Sequence, residues 1–235
     1  MSDGAKGSGT SDDGGGGGAR DGGGARGPAR WLPYAGAALA LCLAVVALVV
    51  MTASRGDGAG TGKTPDAGSA DAGFARDMAV HHQQAVEMSF IVRERTDDEE
   101  VRRLAYDIIN TQANQRGMLL GRLEVWDLPK SSQRPPMAWM GHDMAYEPRD
   151  GSLMPGMATN TELDRLRQAK GKDAEVRFLK LMTEHHRAGV DMAQGAVDRA
   201  DDGVLVRLAE GMVRGQRSEM RLMADLLAAR GVPSG

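Results

Sequence analysis

Histidine is scarce in this chain, and four of its five copies stand in two pairs, His81-His82 and His185-His186. Each pair sits in the same frame of Met, two residues, His-His, five residues, Met, running from Met78 to Met88 and from Met182 to Met192. An imidazole flanked one helical turn away by thioethers is a soft, uncharged donor set. It suits Cu(I) better than magnesium, calcium or a carboxylate-bridged iron pair, and iron or zinc fit it less well. On a helix Met78, His81, Ala85 and Met88 fall in line, as do Met182, His185, Gly189 and Met192, with His82 and His186 one position round. The small Ala85 and Gly189 leave room beside each ring. Methionine is also ordinary core filler and a buried histidine an ordinary satisfied polar group, so one box alone would weigh little. Its return in register, with His-His intact while much around it has changed, favours a metal or ligand role.

The offset of 104 residues (185 − 81) also aligns Phe74 with Phe178, Val86 with Val190, Asp97 with Asp201, Asp98 with Asp202, Leu104 with Leu208, Gln112 with Gln216 and Leu123 with Leu227. One helical hairpin is therefore used twice. Asp71 reads as the N-cap of a first helix whose stripe is Phe74, Met78, His81, Ala85, Met88 and Val92. Thr96 with Glu99 reads as a capping box for a second helix ending near Trp126. Pro129, Pro135 and Pro136 then stop helical structure, and Thr159 with Glu162 forms another capping box for a short helix. A third helix is expected over 174–199 and a fourth over 204–230. Hairpins 71–126 and 174–230, joined by a connection over 127–173, predict an all-α four-helix bundle spanning 71–231. Under a local twofold the boxes of helices one and three face each other, forming one central site or two equivalent ones.

Gln112 and Gln216 lie on the apolar stripes, where an amide could fix the tautomer of a histidine as an outer partner or simply cap the core edge. Glu219 follows Gln216 by three, and its counterpart in the first copy is Gln115. The connection carries Met137, Met140, His142, Met144, Met154 and Met157. These are either a second, flexible Cu(I) site and transfer arm or a cover for the open end of the bundle.

The first seventy residues cannot build a core. Residues 1–30 are Gly-rich with scattered Asp and Arg and read as a disordered tail, and 53–70 as a flexible tether. Between them Leu32 to Thr52 is free of charge, so residues 31–52 read as a transmembrane helix. Arg20, Arg26 and Arg30 precede it, which places the N-terminus in the cytoplasm and the C-terminal domain outside. A cleaved signal peptide is the competing reading, with Ala53-Ser54 as a weak cleavage point. The only cysteine, Cys42, lies within this run, follows Leu41 rather than a small residue, and does not mark a lipoprotein. Net charge is −3 and no basic stretch is interleaved with aromatics, so nucleic acid is not an expected partner.

Met-x-x-His-His with its following Met, the Leu-Ala…Gln helix, the Met154-Pro155-Gly156-Met157 turn and the second His-His box together resemble the bacterial family known as domain of unknown function 305, over residues 71 to about 230. The resemblance implies a ferritin-like four-helix bundle, exported or membrane-anchored, with members implicated in copper binding and resistance. The positions matching its motif are Met78, His81, His82, Met88, Met182, His185, His186 and Met192. Gln115 departs from the Gln-x-x-Glu common in the family, so a role for that carboxylate survives only at Glu219.

Three functions stand. The first is a tethered copper-binding protein that buffers Cu(I) or hands it to an envelope copper-handling partner, without catalysis and as a monomer or homodimer. The second is a ferritin-like metal oxidase; di-iron sites of that kind use four carboxylates and Glu-x-x-His, whereas Met78 and Met182 occupy the Glu positions and Glu87, Glu184, Asp191 and Glu219 do not complete the pattern. The third is a metal-free module that docks with an envelope protein.

Overall fold

Short side chains cap four of the five described α-helices; the fourth in chain order begins after Lys170 with no side-chain cap. Ser69 caps the first, α1 (Ala70–Arg93), accepting from the Ala72 amide at 3.2 Å. The cap lies two residues before the expected Asp71: the buried Asp71 carboxylate instead accepts from the amides of Asp201 and Asp202, at 3.3 and 2.8 Å. It is drawn there by orphan amides at the start of another helix. The second helix, α2 (Glu99–Val125), is capped by Asp98, which accepts from the Val101 amide at 2.9 Å. Thr96 and Glu99 form no capping box, because the Thr96 hydroxyl donates to Glu175 at 2.5 Å. Asp202 caps α5 (Gly203–Ala229) just as its repeat counterpart Asp98 caps α2. The capping box at Thr159 and Glu162 is present and opens the short α3 (Asn160–Gln168). The remaining long helix is α4 (Gly171–Arg199), which starts three residues before the expected 174.

The computed structural model describes residues 64–141 and 146–232. Among them there is no strand, only an isolated bridge between Arg149 and Ser152, and the fold is all-α. The tail, the apolar run and most of the tether expected within 1–63 lie outside the described residues, and no described helix is long and apolar enough to cross a membrane.

α1 packs along α2, α4 along α5, and the two hairpins meet along α1 and α4, whereas α2 and α5 scarcely touch. The buried side chains divide into two clusters. Phe74, Met78, Leu119, Leu123, Met192, Leu205 and Met212 belong to one, and Met88, Val101, Ile108, Phe178, Met182, Met223 and Leu227 to the other. Each member's counterpart 104 residues away is in the opposite cluster: Phe74 and Phe178, Met78 and Met182, Met88 and Met192, Ile108 and Met212. That exchange is what a local twofold between the hairpins produces, with α1 and α4 antiparallel across it. Arg230, largely buried, ties the end of α5 to Glu175 at 2.6 Å and to Asp98 at 2.8 Å.

The connection is docked rather than draped. Asp77 accepts from the Met137 amide at 2.7 Å and from the Trp139 indole at 2.9 Å, and Trp139 meets Phe74 edge-on with centroids 5.8 Å apart. Gln84 exchanges two hydrogen bonds with the Ala158 backbone, at 2.8 and 2.6 Å, as a strand neighbour would. Gly156, at φ 76°, lies directly on α4: a Cβ there would collide with the Ala188 methyl and stand 2.7 Å from the Glu184 carbonyl. Only glycine permits that approach.

Candidate metal centre

The helical spacing that lined up the two boxes brings them together at the α1–α4 seam. His81 and His185 stack on each other with ring centroids 3.7 Å apart and planes at 27°. His186 lies 6.2 Å from His185, and all four imidazoles are buried. His185 donates Nε2–H to the His81 carbonyl at 2.9 Å. Local symmetry would have His81 do the same toward His185, but it does not: its ring faces the Pro155 carbonyl instead, and among the described residues neither ring nitrogen meets a partner in full hydrogen-bond geometry. The crossover breaks the symmetry here, with Gly156 against the His185 backbone and the Pro155 carbonyl beside His81.

His82 and His186 turn the other way, toward α2 and α5. His82 Nε2 meets Gln115 Oε1 at 2.9 Å, and His186 Nε2 meets Glu219 Oε2 at 2.6 Å. Gln115 and Glu219 are themselves repeat counterparts, 104 residues apart. Of the expected outer residues Gln112, Gln216 and Glu219, only Glu219 meets a histidine. Gln112 is buried with both amide atoms unpartnered, and Gln216 folds over Gly189, where a Cβ would strike its Oε1. The space beside His185 expected at Gly189 is filled by that amide. Gln115, missing from the expected set, was signalled by carrying Glu219 back through the offset.

Burial holds His81, His82 and His185 neutral. Loss of solvation, with the neighbouring imidazoles adding to it, pushes His81 down to about 3 and His185 well below its usual range. Loss of solvation does the same to His82, which is also pushed down to about 3, with Gln115 opposing and His186 adding. Neutral imidazole is the form that ligates a metal. Where Nε2–H is given to an oxygen, the lone pair is left on Nδ1. The Nδ1 atoms of His82, His185 and His186 are buried and have no partner, as do both nitrogens of His81. Five imidazole nitrogens without a partner among the described residues are costly for a fold, and a bound ion is one way that such a cost is met.

Thioethers bracket the seam. Met78 and Met192 are buried in one cluster, Met88 and Met182 in the other. The crossover adds Met137 and Met154, both buried in the cluster of Met78 and Met192, with Met140 and Met157 packed at its edge. Met140 lies against Gly195, where a Cβ would be 2.7 Å from its Cε. These four are fastened to the bundle and not on a free arm, while His142 and Met144 lie outside the described residues. Among the described residues no three His, Cys, Asp or Glu side chains converge on one point. The donor types along the seam are imidazole and thioether, which suit a soft ion better than a carboxylate-bridged pair. A groove elsewhere, lined by Arg76, Arg116, Lys130 and Arg167, includes none of the four histidines.

A family model described as Domain of unknown function (DUF305) matches residues 71–227. A solved DUF305 structure from Streptomyces coelicolor, described as a candidate secreted protein, is 64% identical, covers 72% of this chain and 99% of its own, and superposes with a TM-score of 0.67. A DUF305 fragment from Deinococcus radiodurans is 30% identical over 68% of this chain and 96% of its own, with a TM-score of 0.56. CopM in its Cu(I)-bound form is 20% identical over 68% of this chain and 96% of its own, at a TM-score of 0.52, a likeness of fold alone. Among curated proteins none matches the chain.

Proposed function

The chain belongs to the DUF305 family, and from that premise we propose that it is an extracytoplasmic, membrane-anchored metal-binding protein that takes up copper as Cu(I) through its paired His and Met boxes. The observation that carries this reading is the set of buried imidazole nitrogens, unpartnered among the described residues, along a seam bracketed by thioethers. Such a seam destabilises the metal-free fold and is compensated when an ion accepts the lone pairs. His81, His82, His185 and His186 are the nitrogen donors, and Met78, Met88, Met182 and Met192 the sulfur donors. Support from relatives is of the same kind, since CopM is described in Cu(I)-, Cu(II)- and Ag-bound forms. The activity is sequestration or transfer of the ion and includes no catalytic step. Anchoring rests on the apolar run from Leu32 to Thr52, with Arg20, Arg26 and Arg30 before it.

The test is a chelator competition with Cu(I), Cu(II), Zn(II) and Fe(II), read together with thermal unfolding. Cu(I) is expected to bind most tightly and raise the unfolding temperature, and replacement of all four seam histidines by Ala to abolish both effects. Unchanged stability with every metal would leave the seam as architecture and favour an envelope-docking module.

A further inference from the structure

The two lateral histidines occupy matching places in the repeat, yet one faces an amide and the other a carboxylate. The Glu219 carboxylate can only accept, so the 2.6 Å contact places a proton on His186 Nε2, and in the neutral ring the lone pair is then on the buried Nδ1. Gln115 can present either its oxygen or, flipped, its NH2 at the same place. His82 is therefore free to hold its proton on either nitrogen, and in one of the two forms its buried Nδ1 has no lone pair to give.

We propose that Glu219 is a positioning residue that preorganises His186 as the first imidazole to take the ion, and that Gln115 leaves His82 the weaker of an inequivalent pair. A carboxylate behind a ligating imidazole raises the basicity of the ring and supplies the negative charge that a bound cation favours. The amide does neither. Both arrangements keep the local fold, because a carboxamide and a carboxylate are nearly isosteric and both partners reach the surface. The ligand argument rests on the copper reading above, whereas the tautomer argument stands on the hydrogen bonds alone.

Two measurements on the full-length protein and its Glu219→Gln and Gln115→Glu variants separate these. The first is long-range 1H–15N correlation spectroscopy of the metal-free protein, which reads the protonated nitrogen of each ring. His186 is expected in the Nε2–H form only, becoming mixed in Glu219→Gln, and His82 is expected to be mixed, becoming Nε2–H in Gln115→Glu. The second is Cu(I) competition against a chelator. Glu219→Gln should weaken the tighter class of binding by about 10- to 100-fold, the range typical of such outer partners, and Gln115→Glu should tighten the weaker class by a similar factor. Changes below twofold in both variants, or a His186 that samples both forms in the unsubstituted protein, would overturn the proposal. Failure of the unsubstituted protein to bind Cu(I), with His186 still held as the Nε2–H form, would overturn the copper reading and the ligand role while leaving the tautomer assignment in place.

Discussion

The axial and lateral histidines are sequence neighbours in each box, yet they sit in unlike surroundings. His81 and His185 stack under the crossover, shut in by Pro155 and Gly156, and among the described residues one side-chain hydrogen bond joins them, from the His185 ring to the His81 backbone. His82 and His186 are equally buried but lean on Gln115 and Glu219, and the Glu219 side chain is 22% exposed. A rotation of about 100° per residue, the difference between adjacent helical positions, separates a closed environment from one linked to the surface. The lateral pair is linked to the surface through its polar partners, and the axial His81 has neither ring nitrogen partnered among the described residues.

The largest expected effect on this contrast is that of acid. The folded-state pKa values of His81 and His82 lie near 3, below the unfolded value of about 6.5, so the unfolded chain binds more protons between those limits. Stability is therefore fully present above about pH 6.5 and is lost as pH falls toward 3, by up to about 1.4 kcal/mol per pH unit for each ring. His185 acts in the same direction. The metal-free protein is expected to unfold well before pH 3, and denaturant midpoints between pH 7.5 and 4 in the presence of chelator check this. A flat profile over that range would show the rings to be solvated.

Next in size is the crossover. Gly156→Ala places a methyl against Ala188 and the Glu184 carbonyl at a positive φ, and should cost roughly 2 to 5 kcal/mol in chemical denaturation. Gly215→Ala, in open space on α5, should instead stabilise by about 0.5 to 1 kcal/mol. Equal effects at the two positions would remove the distinction between a docked cover and a free surface.

The smallest effect has opposite signs at the two kinds of histidine. His81→Phe removes two unpartnered nitrogens and should leave the metal-free fold unchanged or stabilise it by up to about 2 kcal/mol. His186→Phe strands Glu219 and should cost about 1 to 3 kcal/mol. Thermal unfolding in chelator distinguishes them, and destabilisation by His81→Phe as large as that by His186→Phe would erase the axial–lateral difference.

Much of this was readable from the chain. The 3.6-residue stripes located the four long helices, and the 104-residue offset announced a twofold arrangement that the exchanged core clusters display. Helix starts were harder to read. Asp71 and Thr96 are as good as caps by local chemistry, but each found a stronger use across the fold, at Asp201, Asp202 and Glu175. The repeated Asp98 and Asp202 were in the alignment and mark the true caps of α2 and α5. The same lesson holds at the site, where the repeat pointed to the identical Gln112 and Gln216 and to Glu219, while the partners of the histidines are Glu219 and the residue that differs from it in the first copy, Gln115.

The sequence by itself determined which faces of which helices are buried and which donor types line the seam, because both follow from periodicity along one helix. Only the tertiary structure decided which imidazole meets which partner. His82 reaches Gln115 across a hairpin and His81 reaches His185 across the twofold. The crossover, pinned by Asp77, Gln84 and Gly156, covers one pair and leaves the other its polar neighbours. Those choices depend on the packing of elements distant in the chain, where distances of a few tenths of an ångström select the hydrogen bond, and no residue spacing encodes them.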